Sequence, residues 1–209
     1  MSVNNNDPQA IDSEEQEVNL LAILQIDGLE MFAWTVLYGF LGASLYVAVS
    51  LVPMPYTMVS LFKFGLLPSI SILAVTGAIR GPLAGFLSGY LGVVIYDWIS
   101  YGLIVTLTLP AMAFGVTGFV VGLASYSFDN GRSLAKLSVL SMIGFVFTTL
   151  LVVVIGLIVE GYATMAAIGF VMLPMLTLGL PSAFLLTPVL AAAWYLGISK
   201  IIPSAILGD

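Results

Sequence analysis

Of the 209 residues 60% are hydrophobic and 8% charged, and the mean hydropathy is +1.14, a balance that excludes an ordinary soluble domain and marks an integral membrane protein. The net charge of -6 belongs mainly to the first thirty residues, which hold seven of the eleven acids and no base, and five Lys and Arg in all are too few for a nucleic-acid surface. Cysteine and histidine are both missing, which removes thiol nucleophiles, disulfides, the commonest metal ligand and the commonest general base, so that no cofactor and no metal site is expected.

Residues 1–30 read as an acidic cytoplasmic tail. It begins without a basic n-region, which argues against a cleaved signal peptide and makes the first span the insertion signal. Ser13, Glu14, Glu15 and Gln16 have the spacing of a capping box, and a short amphipathic helix over about 14–26 is expected behind them. The membrane domain covers 31–200, and 201–209 is a C-terminal tail.

From Met31 to Phe62 no residue is charged. About twenty apolar residues span the hydrocarbon, so this run holds one helix, about 31–51, and a loop with Pro53 and Pro55. Residues 64–79 and 83–100 read as a helical hairpin turning at Arg80-Gly81-Pro82, with Lys63 and Asp97 each seventeen positions from Arg80. If both runs are helical throughout, each of these charges lies about 25 Å from Arg80, near the opposite membrane face. A fourth span fits 103–124, the polar stretch 125–133 interrupts, and a fifth fits 137–159.

The last charge-free run, 161–199, is too long for one span and contains Pro174, Pro181 and Pro188. With six spans Arg80, Arg132, Lys136 and Lys200 share the side of the N-terminus and Lys63 falls opposite; seven spans would move Lys200 across. The positive-inside rule therefore selects six helices, N-in and C-in, with 163–178 folded at the outer surface and the last helix near 181–200. The expected fold is an all-α integral membrane bundle, multi-pass in the cell membrane.

Gly81, Gly85 and Gly89, and again Gly118 and Gly122, recur every four residues, the spacing that lets helix backbones approach in lipid. On the first helix Gly39/Ala43 and Ser44/Ala48 form similar pairs, open to packing inside the bundle or to docking a partner. Lys63 and Asp97 also have two readings: an ion pair pinning the hairpin, or the polar groups of an outward-facing pocket. Tyr56, Tyr96, Trp98, Tyr101, Glu160 and Tyr162 map to the same end, a set suited to stacking and orienting a planar ligand, although an aromatic belt accounts for part of it. No Walker A sequence exists, and Asp97 lacks the second membrane acid of an aspartyl dyad, so an enzyme is not expected.

The run from Gly77 to Gly92, through Arg80-Gly81-Pro82, Gly85 and Gly89 and followed by Asp97, resembles the second and third helices of substrate-binding S components of energy-coupling factor transporters. Residues 41–50 look like the small-residue first helix of that family, and the looser resemblance extends over about 31–200. It implies a subunit that captures a vitamin-like micronutrient from outside, transport requiring a membrane T component and two cytoplasmic ATPase subunits. In the family, alanines at four-residue spacing on the first helix touch the T component; here the matching positions read Gly39/Ala43 and Ser44/Ala48. Metal-transporting members carry Met-His at the N-terminus, where this chain has Ser2, which argues against nickel or cobalt as cargo. Family binding sites lie near the outer ends, which coincides with the pocket read above from charge and aromatic placement; Lys63, Asp97 and Glu160 with Tyr56, Trp98 and Tyr101 are its expected substrate-binding residues. The alternative function is a non-transporting membrane scaffold or assembly protein, in which Lys63 and Asp97 only pair with each other.

Overall fold

The computed structural model describes residues 28–59, 62–102 and 109–201. The acidic tail with its capping-box helix, the first residues of the expected fourth span, the Lys200 side chain and the tail beyond 201 lie outside the described residues.

Helix α1 is Leu29–Ser50. A two-stranded antiparallel hairpin follows, β1 Tyr56–Val59 and β2 Phe62–Gly65, with Tyr56 opposite Gly65 and Met58 opposite Lys63. Helix α2 is Pro68–Arg80, α3 Pro82–Tyr101, α4 Leu109–Gly122 and α5 Gly131–Ile158. A final helical run, α6, is assembled from Thr164–Ala166, a π-helical stretch Ala167–Met172, Leu173–Pro181, a second π-helical stretch Ser182–Leu186, and Thr187–Ile201. The chain is thus mostly helical, and among the described residues four helical runs are long and apolar enough to cross a membrane: α1, α3, α5 and Thr164–Gly197 of α6.

The expectation of a helix over 64–79 is corrected. Residues 62–65 pair as a strand, and the helix waits for Pro68. Proline suits the first helical turn because its fixed φ is already helical and its missing N–H would have no partner there. At 13 residues α2 is only about 20 Å long, so Lys63 reaches its end of the bundle on a strand and not by helical rise. The turn into α3 is as read: Gly81 has φ 86°, a backbone conformation open to glycine, and Pro82 opens α3.

The segment 163–178 also differs from expectation. It is helical and continues into the rest of α6, 34 residues from Thr164 to Gly197, about 50 Å against a hydrocarbon core of about 30 Å. Pro188 has no N–H to give the preceding turn, so carbonyls near Phe184 lose their helical donor. Hydroxyls of α5 replace it: Ser138 Oγ donates to the Phe184 carbonyl at 3.0 Å and Ser141 Oγ to the Ala183 carbonyl at 2.6 Å. On the other side Ser71 Oγ of α2 donates to the Ser182 carbonyl at 2.9 Å. Removing both α5 donors by Ser138→Ala with Ser141→Ala is expected to lower stability by about 1–2 kcal/mol, read as the midpoint of unfolding in denaturing detergent. An unchanged midpoint would show that the π-helical turn satisfies itself.

The packing is that of a protein in lipid. Many interior positions are small or hydroxylated, with Ala43, Ala84, Ser88, Thr117, Ser141, Thr148 and Ser182 fully buried beside larger core residues such as Ile70, Leu73, Leu137 and Phe145. Large apolar residues such as Leu41, Leu45, Phe147, Leu150 and Val154 face outward. Lipid supplies no hydrophobic drive between helices, so close backbone contact and interhelical hydrogen bonds hold them. The Thr117 and Thr148 hydroxyls stand 2.7 Å apart, joining α4 to α5, and Thr148 also donates to the Ala113 carbonyl at 2.8 Å. Gly85 of α3 and Gly118 of α4 are packed backbone to backbone, and Gly77 of α2 abuts the Gly118 carbonyl.

Candidate functional site

The end of the bundle formed by the close of α1, the β-hairpin, the close of α3 and the α5–α6 connection carries all six residues expected to bind substrate. The hairpin pairs Tyr-Thr-Met-Val, rich in aromatic and β-branched residues, with an alternating Phe-Lys-Phe-Gly, and Pro53 and Pro55 prevent α1 from continuing into it. Tyr56, Met58, Lys63 and Gly65 share one face by register. Gly65, opposite Tyr56, offers no side chain, and the tyrosine ring instead meets its diagonal neighbour: the Lys63 ammonium sits 5.3 Å from the ring centroid. A cation over a phenol ring at this distance is held electrostatically by the ring quadrupole.

The hairpin rests on α6. Strand β2 contacts the Leu173–Pro181 stretch, most closely at Gly65, where an added Cβ would stand 3.1 Å from Leu178 Cδ2 and 3.1 Å from the Pro55 carbonyl oxygen. Beneath it the Leu67 N–H donates to Ser182 Oγ, which itself donates to the Leu178 carbonyl at 3.0 Å. The chain leaving the hairpin is therefore pinned to the same turn of α6 that the hairpin covers.

The predicted residues fall into three local groupings at this end. Lys63 and Tyr56 are together on the hairpin. Asp97, half-buried near the end of α3, lies with Tyr96 within electrostatic reach of Tyr46 of α1. Glu160 lies on the α5–α6 connection beside Tyr162, whose hydroxyl hydrogen-bonds to the carboxylate; that bond, followed by desolvation and the negative charge, pushes the phenol above its ordinary value. Trp98 and Tyr101 stand on the last turn of α3, 59% and 69% exposed, and Tyr56 is 54% exposed. They are rim groups rather than buried walls.

The small-residue pairs of α1 divide. Gly39 and Ala43 are buried inside the bundle, Gly39 so closely that a Cβ would stand 2.9 Å from Leu87 Cβ of α3, while Ser44 and Ala48 face outward. Only the second pair leaves a surface for a partner. The sequence reading missed Tyr46, buried beside Val93 and Leu73 at the foot of this end, and it missed the hairpin itself. The period-two alternation on either side of Ser60-Leu61 was the available signal.

The chain is similar to a "UPF0397 protein" of Streptococcus thermophilus (strain LMD-9), 35% identical over 99 residues, which are 47% of this chain and 50% of that protein. A second "UPF0397 protein" of S. thermophilus (strain CNRZ 1066) is 37% identical over 75 residues, 36% of this chain and 39% of its own length. The chain thus spans about half the length of the curated relatives it matches, or less. No family model matches it. No solved structure matches it. What these observations establish together is an α-helical membrane protein with relatives among UPF0397 proteins.

Proposed function

We propose that the chain is the membrane-embedded substrate-capture subunit of an energy-coupling factor transporter, an ABC-type system that takes up a vitamin-like micronutrient while partner subunits hydrolyse ATP. The observation that carries this reading is the β-hairpin: a short sheet seated on α6, bearing a cation and a phenol, at the bundle end where an acid on α3, an acid beside α6 and exposed aromatics collect. The resemblance of Gly77 to Gly92 to the S-component hairpin supports it, as does the glycine contact between α3 and α4. On this reading the six helical runs cross the membrane with both termini inside, and the chain binds without catalysing. The hairpin opens to admit ligand from outside, Lys63 and Asp97 orient its polar groups, Glu160 adds a rim acid, and Tyr56, Trp98 and Tyr101 stack on it. A membrane T component docks on the outward Ser44/Ala48 face of α1, and two cytoplasmic ATPase subunits supply energy.

The scaffold reading has one observation in its favour: Lys63 is already engaged by the Tyr56 ring. The two readings separate on the small molecules released when the purified protein is denatured. Capture predicts one organic compound retained in near-equal amount to protein, and Lys63→Met lowering that retention at least about tenfold, the effect of losing one charge-assisted hydrogen bond. Protein that carries no such compound from native membranes, and that draws no ATPase subunits with it, favours the scaffold.

A further inference from the structure

At the opposite end of the bundle the loop between α4 and α5 folds around a pocket of about 270 Å³. We propose that this pocket binds a phosphate group at the level of the lipid headgroups. The proposal is independent of micronutrient capture.

The lining is rich in donors. It includes Arg132 and Lys136, four residues apart on one face of α5, with Ser125, Ser127 and Ser133. Among the described residues no carboxylate lines it; the neighbouring Asp129 lies outside the lining and is exposed. Ser133 Oγ accepts the Ser127 N–H at 2.9 Å, which leaves its own hydroxyl proton to donate. Lys136 Nζ gives one of its three donors to the Ser125 carbonyl at 3.3 Å and lies 5.4 Å from the Tyr126 ring centroid, a placement that aims a flexible side chain. Residues that carry a planar guanidinium, an ammonium and hydroxyl donors around one hollow match a group with three acceptor oxygens.

The hollow is also held in shape. The Tyr126 hydroxyl donates to the Val121 carbonyl at 2.8 Å, its ring stacks on Phe128 at 6.3 Å, and Phe128 meets Tyr195 of α6 at 6.5 Å. Asn130 Oδ1 accepts the Arg132 N–H at 3.0 Å, fixing the start of α5. The volume falls below the range of about 300–1,000 Å³ usual for drug-sized ligands and cofactors, which favours a headgroup or a small anion. Its height agrees: α5 has 28 residues, about two turns more than the hydrocarbon requires, and Arg132 and Lys136 lie in that excess before Leu137 begins the buried run. Basic side chains at this level attract phosphate-bearing headgroups, here from a loop and the first turns of one helix.

Two sources share this chemistry, an anionic lipid and a free phosphate. The full chain in a zwitterionic detergent, given phosphatidylglycerol, phosphatidylcholine or inorganic phosphate and read by native mass spectrometry, distinguishes them. Phosphatidylglycerol retained over phosphatidylcholine, with inorganic phosphate failing to displace it, identifies the lipid; inorganic phosphate binding by itself and displacing the lipid identifies the soluble anion. In either case Arg132→Gln with Lys136→Gln is expected to weaken binding at least about tenfold, and Arg132→Lys with Lys136→Arg to retain most of it. Should the double variant fail to fold, Arg132→Gln alone, at an exposed position, is expected to weaken binding about threefold or more. Absence of binding by all three probes, or binding indifferent to loss of these charges, would overturn the proposal.

Discussion

Gly118→Val is expected to cost about 3 kcal/mol, the upper end of what overpacking does. A Cβ at Gly118 would enter the Gly85 backbone of α3, closer than van der Waals contact permits, and no flexible side chain stands there to yield. The two helices would have to separate, and Gly77 of α2, which abuts the Gly118 carbonyl, would lose its contact with them. Dispersion between backbones is the main attraction that lipid leaves available, so the loss has no hydrophobic compensation. Gly197→Val is the control, since a Cβ at Gly197 meets nothing within 4 Å. Unfolding midpoints in denaturing detergent should fall sharply for the first and little for the second. Equal midpoints would mean that α3 and α4 do not meet at these glycines.

The second large effect is all or none. The chain has no cysteine, so single introduced thiols report their side of the membrane without background. Thr57→Cys is an exposed position on the hairpin and Asp129→Cys an exposed position on the α4–α5 loop, at opposite ends of the bundle. On the N-in, C-in reading, an impermeant maleimide labels Thr57→Cys in intact cells and reaches Asp129→Cys only after permeabilisation. The reverse pattern would invert the bundle and carry the hairpin to the inside, which removes capture from outside. Labelling of both in intact cells would show that an even number of crossings separates them.

The membrane class, the helical bundle and the glycine contacts were legible in the residues because each follows from local composition or spacing. Gly81-Pro82 forces a turn wherever it sits between two apolar runs, and glycines four apart present a groove whatever the partner. The strand at Phe62–Gly65 was not legible in the same way. A short apolar run with one lysine reads equally as helix or strand until its pairing partner is known, and that partner lies across a turn. The same holds for the run 161–199, whose length and three prolines suggested interruption. The structure keeps the run helical by widening it into π turns and by lending it serine donors from α2 and α5, an arrangement that no local pattern announces.

By itself, then, the sequence determined that this chain lives in lipid, that it turns at Gly81-Pro82, and which end collects Lys63, Asp97, Glu160 and the aromatics, because hydropathy, Gly-Pro geometry and charge spacing act locally. Tertiary structure alone decided that Lys63 meets the Tyr56 ring and that Asp97 lies within electrostatic reach of Tyr46. It alone buried Gly39 and Ala43 while leaving Ser44 and Ala48 outside, and it alone shaped an open hollow beside Arg132 and Lys136. Each of these depends on which helix stands beside which, and in lipid that choice is made by backbone fit and hydrogen bonds between segments far apart in the chain.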